Sequence, residues 1–331
     1  MLETEHRYQS FDHSDMKQVL WGLAFLWISF AAHAQYPNKP VRAVVPFPAG
    51  SSTDIVTRVL ANSVSQSIGQ QLVVDNKAGA DGAIAAAEVA KAAPDGYTLL
   101  MATNSPMSAV PAMKKSPPYD PVADFTPITD IGRYTFFILV HPSVPAKTLA
   151  ELIDHARANP GKLNYATGNT TSIVSTAYFA SLAGIQLVHV PYKGEPQAVT
   201  DLVAGRVQLM FCSSSTSIAQ IRDGRLRALV TTLGKRSHML PEVPTIAEAG
   251  MPQFSITSWA GLFGPARMPR EVVERLNKEF GAAMARAEVQ AAMEKQAFAL
   301  TPSSPEQLAA FVKEQMESYR RILRAAGVEP E

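Results

Sequence analysis

Short apolar runs of strand length alternate with stretches of helical periodicity along most of the chain. Val41–Val45 is such a run, and residues 54–68 then carry Ile55, Val56, Val59, Leu60, Val64 and Ile68 at helical spacing before Gly69. That rhythm predicts an α/β fold with mainly parallel strands, because a parallel pair needs a crossover that a helix supplies. Further strands are expected at 71–74, 97–102, 136–140, 163–167, 187–190, 207–211 and 226–232. Helices are expected at 83–92, 149–158, 173–183, 197–204, 270–286, 288–296 and 305–325. Residues 104–133 hold Pro106, Pro111, Pro117, Pro118, Pro121 and Pro127, and proline removes a ladder donor, so this stretch reads as irregular. Both halves repeat the order strand, polar loop, helix, which points to two similar lobes.

Composition excludes several classes. With 47% hydrophobic and 18% charged residues and a net charge of +1, the 331-residue chain has neither the basic excess of a nucleic-acid binder nor the balance of a disordered one. Cys212 is the single cysteine; it forms no internal disulfide and rules out multi-cysteine metal sites. Residues 19–32 are apolar but too few to span a bilayer. Lys17 precedes them and Ala32-His33-Ala34 follows, so residues 1–34 read as an export signal cleaved before Gln35. Glu3, Glu5, Asp12 and Asp15 put acid where such a signal needs base, so translation is expected to start at Met16. Cleavage would leave Trp259 as the sole tryptophan, in a soluble protein of an oxidising compartment.

Two loops could carry chemistry. Pro46-Phe47-Pro48-Ala49-Gly50-Ser51-Ser52-Thr53-Asp54 joins the first strand to the first helix. Its small residues admit a ligand to the backbone, Ser52 or Thr53 can cap the helix, and Asp54 suits its positive end. Free N–H groups there can bind an anion, although an ordinary capped helix start explains the same residues. No P-loop lysine and no dinucleotide fingerprint is present. The second loop, Ala166-Thr167-Gly168-Asn169-Thr170-Thr171-Ser172, again lies between strand and helix. Asn104 and Ser105, Lys193, and the cluster Cys212-Ser213-Ser214-Ser215-Thr216 also follow strands, where ligands of open α/β sheets sit. Each has a plain reading as solvated loop or surface charge. Trp259 could stack on a ligand or belong to the core. His141, His155, His189 and His238 have no metal-ligand spacing, and no G-x-S-x-G elbow occurs. Neither catalysis nor a cofactor or metal is therefore expected.

The segments YPNKPVRAVVPFPAGSSTDIVTR, VVDNKAGADGAIAAAEVAKAAPDGYTLL, VPYKG, DLVAGRVQLMF, LPEVPTIAEAG and SWAGLFGPARMP resemble the Bug family, the TctC-like extracytoplasmic receptors of tripartite tricarboxylate transporters. The resemblance covers residues 36–328. It implies a type II periplasmic binding protein fold, with two α/β lobes, a hinge and an interlobe cleft. Residues 35–135 with 257–331 would form one lobe and 136–256 the other. It also implies a periplasmic, monomeric receptor that binds a small organic carboxylate without metal and hands it to a membrane permease. A sensing partner or an enzyme on the same fold remain alternatives. On this basis Pro48, Ala49, Gly50, Ser51, Ser52, Thr53 and Asp54 receive a carboxylate, and Gly168, Asn169, Thr170 and Thr171 grip the other end. Asn104, Ser105, Lys193 and Cys212 complete the expected site. The chain departs from the family pattern at Gly50-Ser51, at Asn169-Thr170-Thr171, at Met107 and at Met210-Phe211-Cys212. Cys212 stands where an acid commonly faces the ligand, which disfavours a ligand amine.

Overall fold

The computed structural model describes residues 36–254, 256–325 and 330. The expected export signal and the Met16 start lie outside them. Residues from Lys39 onward form one compact unit, and everything below concerns it.

In chain order its elements are β1 (Val41–Val45), α1 (Ser52–Ile68), β2 (Leu72–Asn76), α2 (Ala83–Ala90), β3 (Thr98–Thr103), α3 (Val110–Met113), β4 (Phe125–Tyr134), β5 (Phe136–Val140), α4 (Leu149–Ala158), β6 (Asn164–Thr167), α5 (Thr170–Ala183) and β7 (Val188–Pro191). There follow α6 (Glu195–Val203), β8 (Leu209–Ser213), α7 (Ser214–Arg222), β9 (Arg227–Thr231), β10 (Trp259–Pro265), α8 (Arg270–Met284), α9 (Ala287–Lys295), β11 (Phe298–Leu300) and α10 (Pro305–Ala325). A wide π-type turn, Ser105–Ala109, joins β3 to α3.

Two sheets result. One has the order β11-β4-β10-β3-β1-β2 and the other β7-β6-β8-β5-β9. Among the named strands, the parallel pairs are β1 with β2 and β3, and β6 with β7 and β8. The remaining pairings are antiparallel. The expected parallel sheets are therefore mixed, and the cause is a chain that changes sheets. β4 ends in the first sheet at Tyr134 and β5 opens the second at Phe136, with Thr135 alone between them. The chain returns after β9, and β10 inserts between β3 and β4, antiparallel to both.

The proline-rich stretch is the second correction. Phe125–Tyr134 is a ten-residue strand. Pro127 is accommodated where the β4–β10 register slips, between Leu262 opposite Thr129 and Phe263 opposite Pro127, since an irregular ladder asks no donor of it.

The apolar runs at β3, β5 and β8 occupy strand positions covered on both faces, which is why they do not alternate, whereas the edge strands β2 and β7 are largely open. Every residue of β5 is buried, between β8 and β9. Val44, Leu100, Trp259, Phe263, Leu308 and Val312 join in the core of the first lobe. Phe137, Leu139, Leu202, Met210 and Cys212 join in that of the second. α10 packs on β4 and also reaches α5, where Ser181 Oγ donates to the Ala325 carbonyl at 3.3 Å.

At Gly132 the short edge strand β11 closes on β4: a Cβ there would lie 2.1 Å from the Ala299 carbonyl oxygen and 2.5 Å from the Phe298 ring. Gly132→Ala is expected to push β11 off the sheet and cost about 1–3 kcal/mol, as overpacking does. The urea midpoint of the purified variant checks this.

Candidate functional site

The first strand-to-helix loop is built from its cap outward. Ser51, not Ser52 or Thr53, caps α1, its hydroxyl accepting from the Asp54 amide at 3.4 Å. Ser52 and Thr53 are thereby free to turn inward. Gly50 takes φ +78°, a left-handed conformation that favours glycine, and its amide donates to Asp54 Oδ2 at 2.9 Å. Asp54 also accepts from Arg58 Nε at 3.0 Å and Asn76 Nδ2 at 3.0 Å. Burial works against its charge, but Arg58, the Gly50 amide and Asn76 outweigh it and hold the carboxyl below its ordinary value. Asp54 thus anchors the loop from behind.

The opposing loop repeats the device. Asn169 caps α5, its Oδ1 accepting from the Ser172 amide at 2.9 Å. Gly168 permits a close backbone approach: a Cβ there would stand 2.4 Å from the Glu195 nitrogen and 2.7 Å from the Gly194 carbonyl carbon. A Cβ on Gly194 would in turn meet Pro48 Cγ at 3.0 Å, so the first loop presses on the start of α6.

These turns enclose one pocket. The first lobe contributes Phe47, Ser51, Ser52 and Thr53, then Thr103, Asn104 and Ser105, and finally Tyr134 and Ser258; the second contributes Phe136, Gly168, Asn169, Thr171 and Glu195. No lysine or arginine lines it. The lips bond directly. Ser105 Oγ and Thr171 Oγ1 are 2.8 Å apart, and the Thr171 amide donates to Ser105 Oγ at 3.2 Å. Ser52 Oγ bonds Ser213 Oγ and lies 3.4 Å from Glu195 Oε2. Asn104 Nδ2 donates to the Tyr319 hydroxyl of α10, a phenol that burial pushes up to about 12.

Of the expected residues, Ser51, Ser52, Thr53, Asn104, Ser105, Gly168, Asn169 and Thr171 line this pocket. Pro48, Ala49, Gly50, Asp54 and Thr170 do not. Thr170 Oγ1 is buried without a hydrogen-bond partner. Lys193 is exposed and lines a second cavity with Ala78, Asp81 and Tyr192. Cys212 is fully buried in the core, its thiol 3.2 Å from Thr216 Oγ1. Burial and the charge of Glu195 push that thiol well up, so it is a protonated packing group rather than a nucleophile. Trp259 is core as well, with 0% exposure, although its amide lies 3.4 Å from Asn104 Oδ1. His189 stacks on Tyr165 and pairs with Thr167 Oγ1 at 2.7 Å.

Glu195 is the residue sequence reasoning missed. An acid in the first turn of a helix is an ordinary companion of the dipole, and nothing local signals that this one is 5% exposed. Its Oε2 accepts from Ser213 Oγ at 2.5 Å and Thr216 Oγ1 at 3.0 Å, and its Oε1 from Asn169 Nδ2 at 3.3 Å. Burial raises its pKa against the pull of these hydroxyls. The cleft therefore contains an acid after all, supplied by α6 in place of Cys212.

The profile of the tripartite tricarboxylate transporter family receptor, TctC, matches residues 56–328. The chain belongs to this receptor family. Among its relatives, the UPF0065 protein in the tcbD-tcbE intergenic region of Pseudomonas sp. strain P51 is 39% identical over 315 residues, 93% of each chain. Rpa4515 of R. palustris, solved with adipate, superposes with TM-score 0.86 at 32% identity, covering 90% of this chain and all of that one. The periplasmic binding protein BugD superposes with TM-score 0.85 at 33% identity, covering 89% of this chain and 100% of that one. The two sheets are thus the two lobes of a periplasmic-binding-protein fold, as the receptor resemblance implied.

Two outcomes are expected in this receptor. Gly168→Ala should separate the loop from α6 and destabilise the protein by about 1–3 kcal/mol, read as a lower urea midpoint. Asp54 contributes stability above the usual Asp range near pH 4. Because its folded pKa is lowered, that contribution is lost as pH falls through the folded value. Asp54→Asn should therefore be less stable than the parent at pH 7, with the difference shrinking at pH 3 in paired denaturation curves.

Proposed function

We propose that this chain is a periplasmic receptor that closes its two lobes on a small organic carboxylate and delivers it to a membrane permease of the tripartite tricarboxylate type. The observation that carries this reading is the donor set of the pocket. Hydroxyls and amides from both lips meet at Ser52, Ser105, Asn169 and Thr171, and the first turns of α1 and α5 offer backbone N–H groups to an anion. Thr135, between β4 and β5, and the residues that lead into β10 at Trp259 serve as the hinge on which residues 35–135 with 257–331 close against 136–256. Capture without chemistry agrees with the sealed Cys212 thiol and with a family of receptors. The adipate held by the related Rpa4515 supports a carboxylate as guest.

Trp259 adjoins Ser258 and Asn104, so closure should change its fluorescence. Titration of residues 35–331 with adipate, succinate, citrate and benzoate should give saturable quenching and a raised melting temperature for at least one of them. Each hydrogen bond to a charged ligand contributes about 1.5–3 kcal/mol. Ser52→Ala and Thr171→Ala should each therefore weaken that ligand by about tenfold or more. A protein that answers no carboxylate by either measurement contradicts this function.

A further inference from the structure

We infer that Glu195 makes this cleft select a carboxylate that also carries a cationic nitrogen, an amino acid or other zwitterion, over the corresponding simple acid. The inference rests on the carboxylate-receptor reading above and specifies its substrate class.

The argument starts from charge. Glu195 is an ionisable side chain lining the pocket, and no lysine or arginine lines it with Glu195. The buried acids Asp54 and Asp130 have been neutralised by the protein itself. Asp54 is bound to Arg58, and Asp130 to Arg133 at 2.7 Å. Glu195 meets neutral donors instead: hydroxyls, the Asn169 side-chain amide and the Ser213 backbone. A buried carboxylate without a cation is costly, because hydrogen bonds from neutral donors offset only part of the lost hydration.

The donors are also unevenly shared. Oε2 lies within reach of Ser213, Thr216 and Ser52. Among the described residues the one side-chain donor to Oε1 is Asn169 Nδ2, at a long 3.3 Å. A carboxylate offers about four lone-pair sites, so Oε1 keeps acceptor capacity, and both its residue and its one donor line the pocket. An ammonium placed there completes the acceptor and supplies the missing positive charge. The ligand carboxylate would then occupy the hydroxyl and amide donors of the lips. A simple dicarboxylate has no such partner for Glu195 and meets like charge.

Matched pairs test this by calorimetry on residues 35–331 at pH 7: succinate with aspartate, glutarate with glutamate, adipate with 2-aminoadipate, and butyrate with 4-aminobutyrate. The expected result is that, in the pair that binds best, the amino member binds at least about tenfold tighter. Glu195→Gln, which keeps shape and removes charge, should bring that ratio to about one or below. The wild-type comparison stands even if the variant does not fold. Tighter binding of the deaminated members overturns the inference, as does an unchanged ratio in a folded Glu195→Gln. If every pair fails to bind, the carboxylate-receptor reading falls and the inference with it.

Discussion

Backbone amides at the first turn of a helix have no partner within it, and the cleft of this receptor is organised around that shortage. α1, α5, α6 and α7 all begin at the carboxyl ends of strands or just beyond them, so their donors gather at the same lips. Ser51 and Asn169 satisfy one amide each. The rest of the polar complement is left to neighbouring hydroxyls, to the opposite lip and to whatever the cleft holds. The Thr171 amide donating to Ser105 Oγ is the same satisfaction achieved between lobes, and Ser52 meeting Ser213 pairs two hydroxyls across the same gap. An anion is the partner such an array recognises most strongly, which places this receptor's fold, site and function on one constraint.

Division of labour within the first loop follows from it. Asp54 looks like a ligand-facing acid in the sequence, but its four bonds run backwards to Gly50, Arg58 and Asn76. It spends its charge on holding the loop. Ser51 spends its hydroxyl on the cap, and Ser52 and Thr53 are what remain for the pocket. Glu195 is the exception, an acid at a helix start that turns into the cleft and finds only neutral donors.

Much of the fold was legible because periodicity reports burial on one or two faces. Phe136–Val140, Leu149–Ala158 and Pro305–Ala325 appear with the bounds the sequence predicts. β4 was hidden because Pro127 and Gly132 disguise it, and both are tolerated only through neighbours distant in sequence. Pro127 stands at a register slip against β10, and Gly132 stands under the Ala299 carbonyl. The site was legible to the extent that polar residues after strands mark the cleft side of an α/β sheet. Lys193 and Cys212 stood after expected strands too, yet Lys193 faces solvent and Cys212 lies inside β8 and faces the core.

Most of the order of strands and helices, the polar loops that follow strands, and the family to which the chain belongs were determined by the sequence alone, because each is written in local spacing or in contiguous motifs. Mixed sheets, the insertion of β10 and the entry of Glu195 into the pocket were decided only by the tertiary structure. Each depends on which segments distant in sequence meet in the folded chain, and a side chain's solvation is a property of those meetings rather than of its neighbours along the chain.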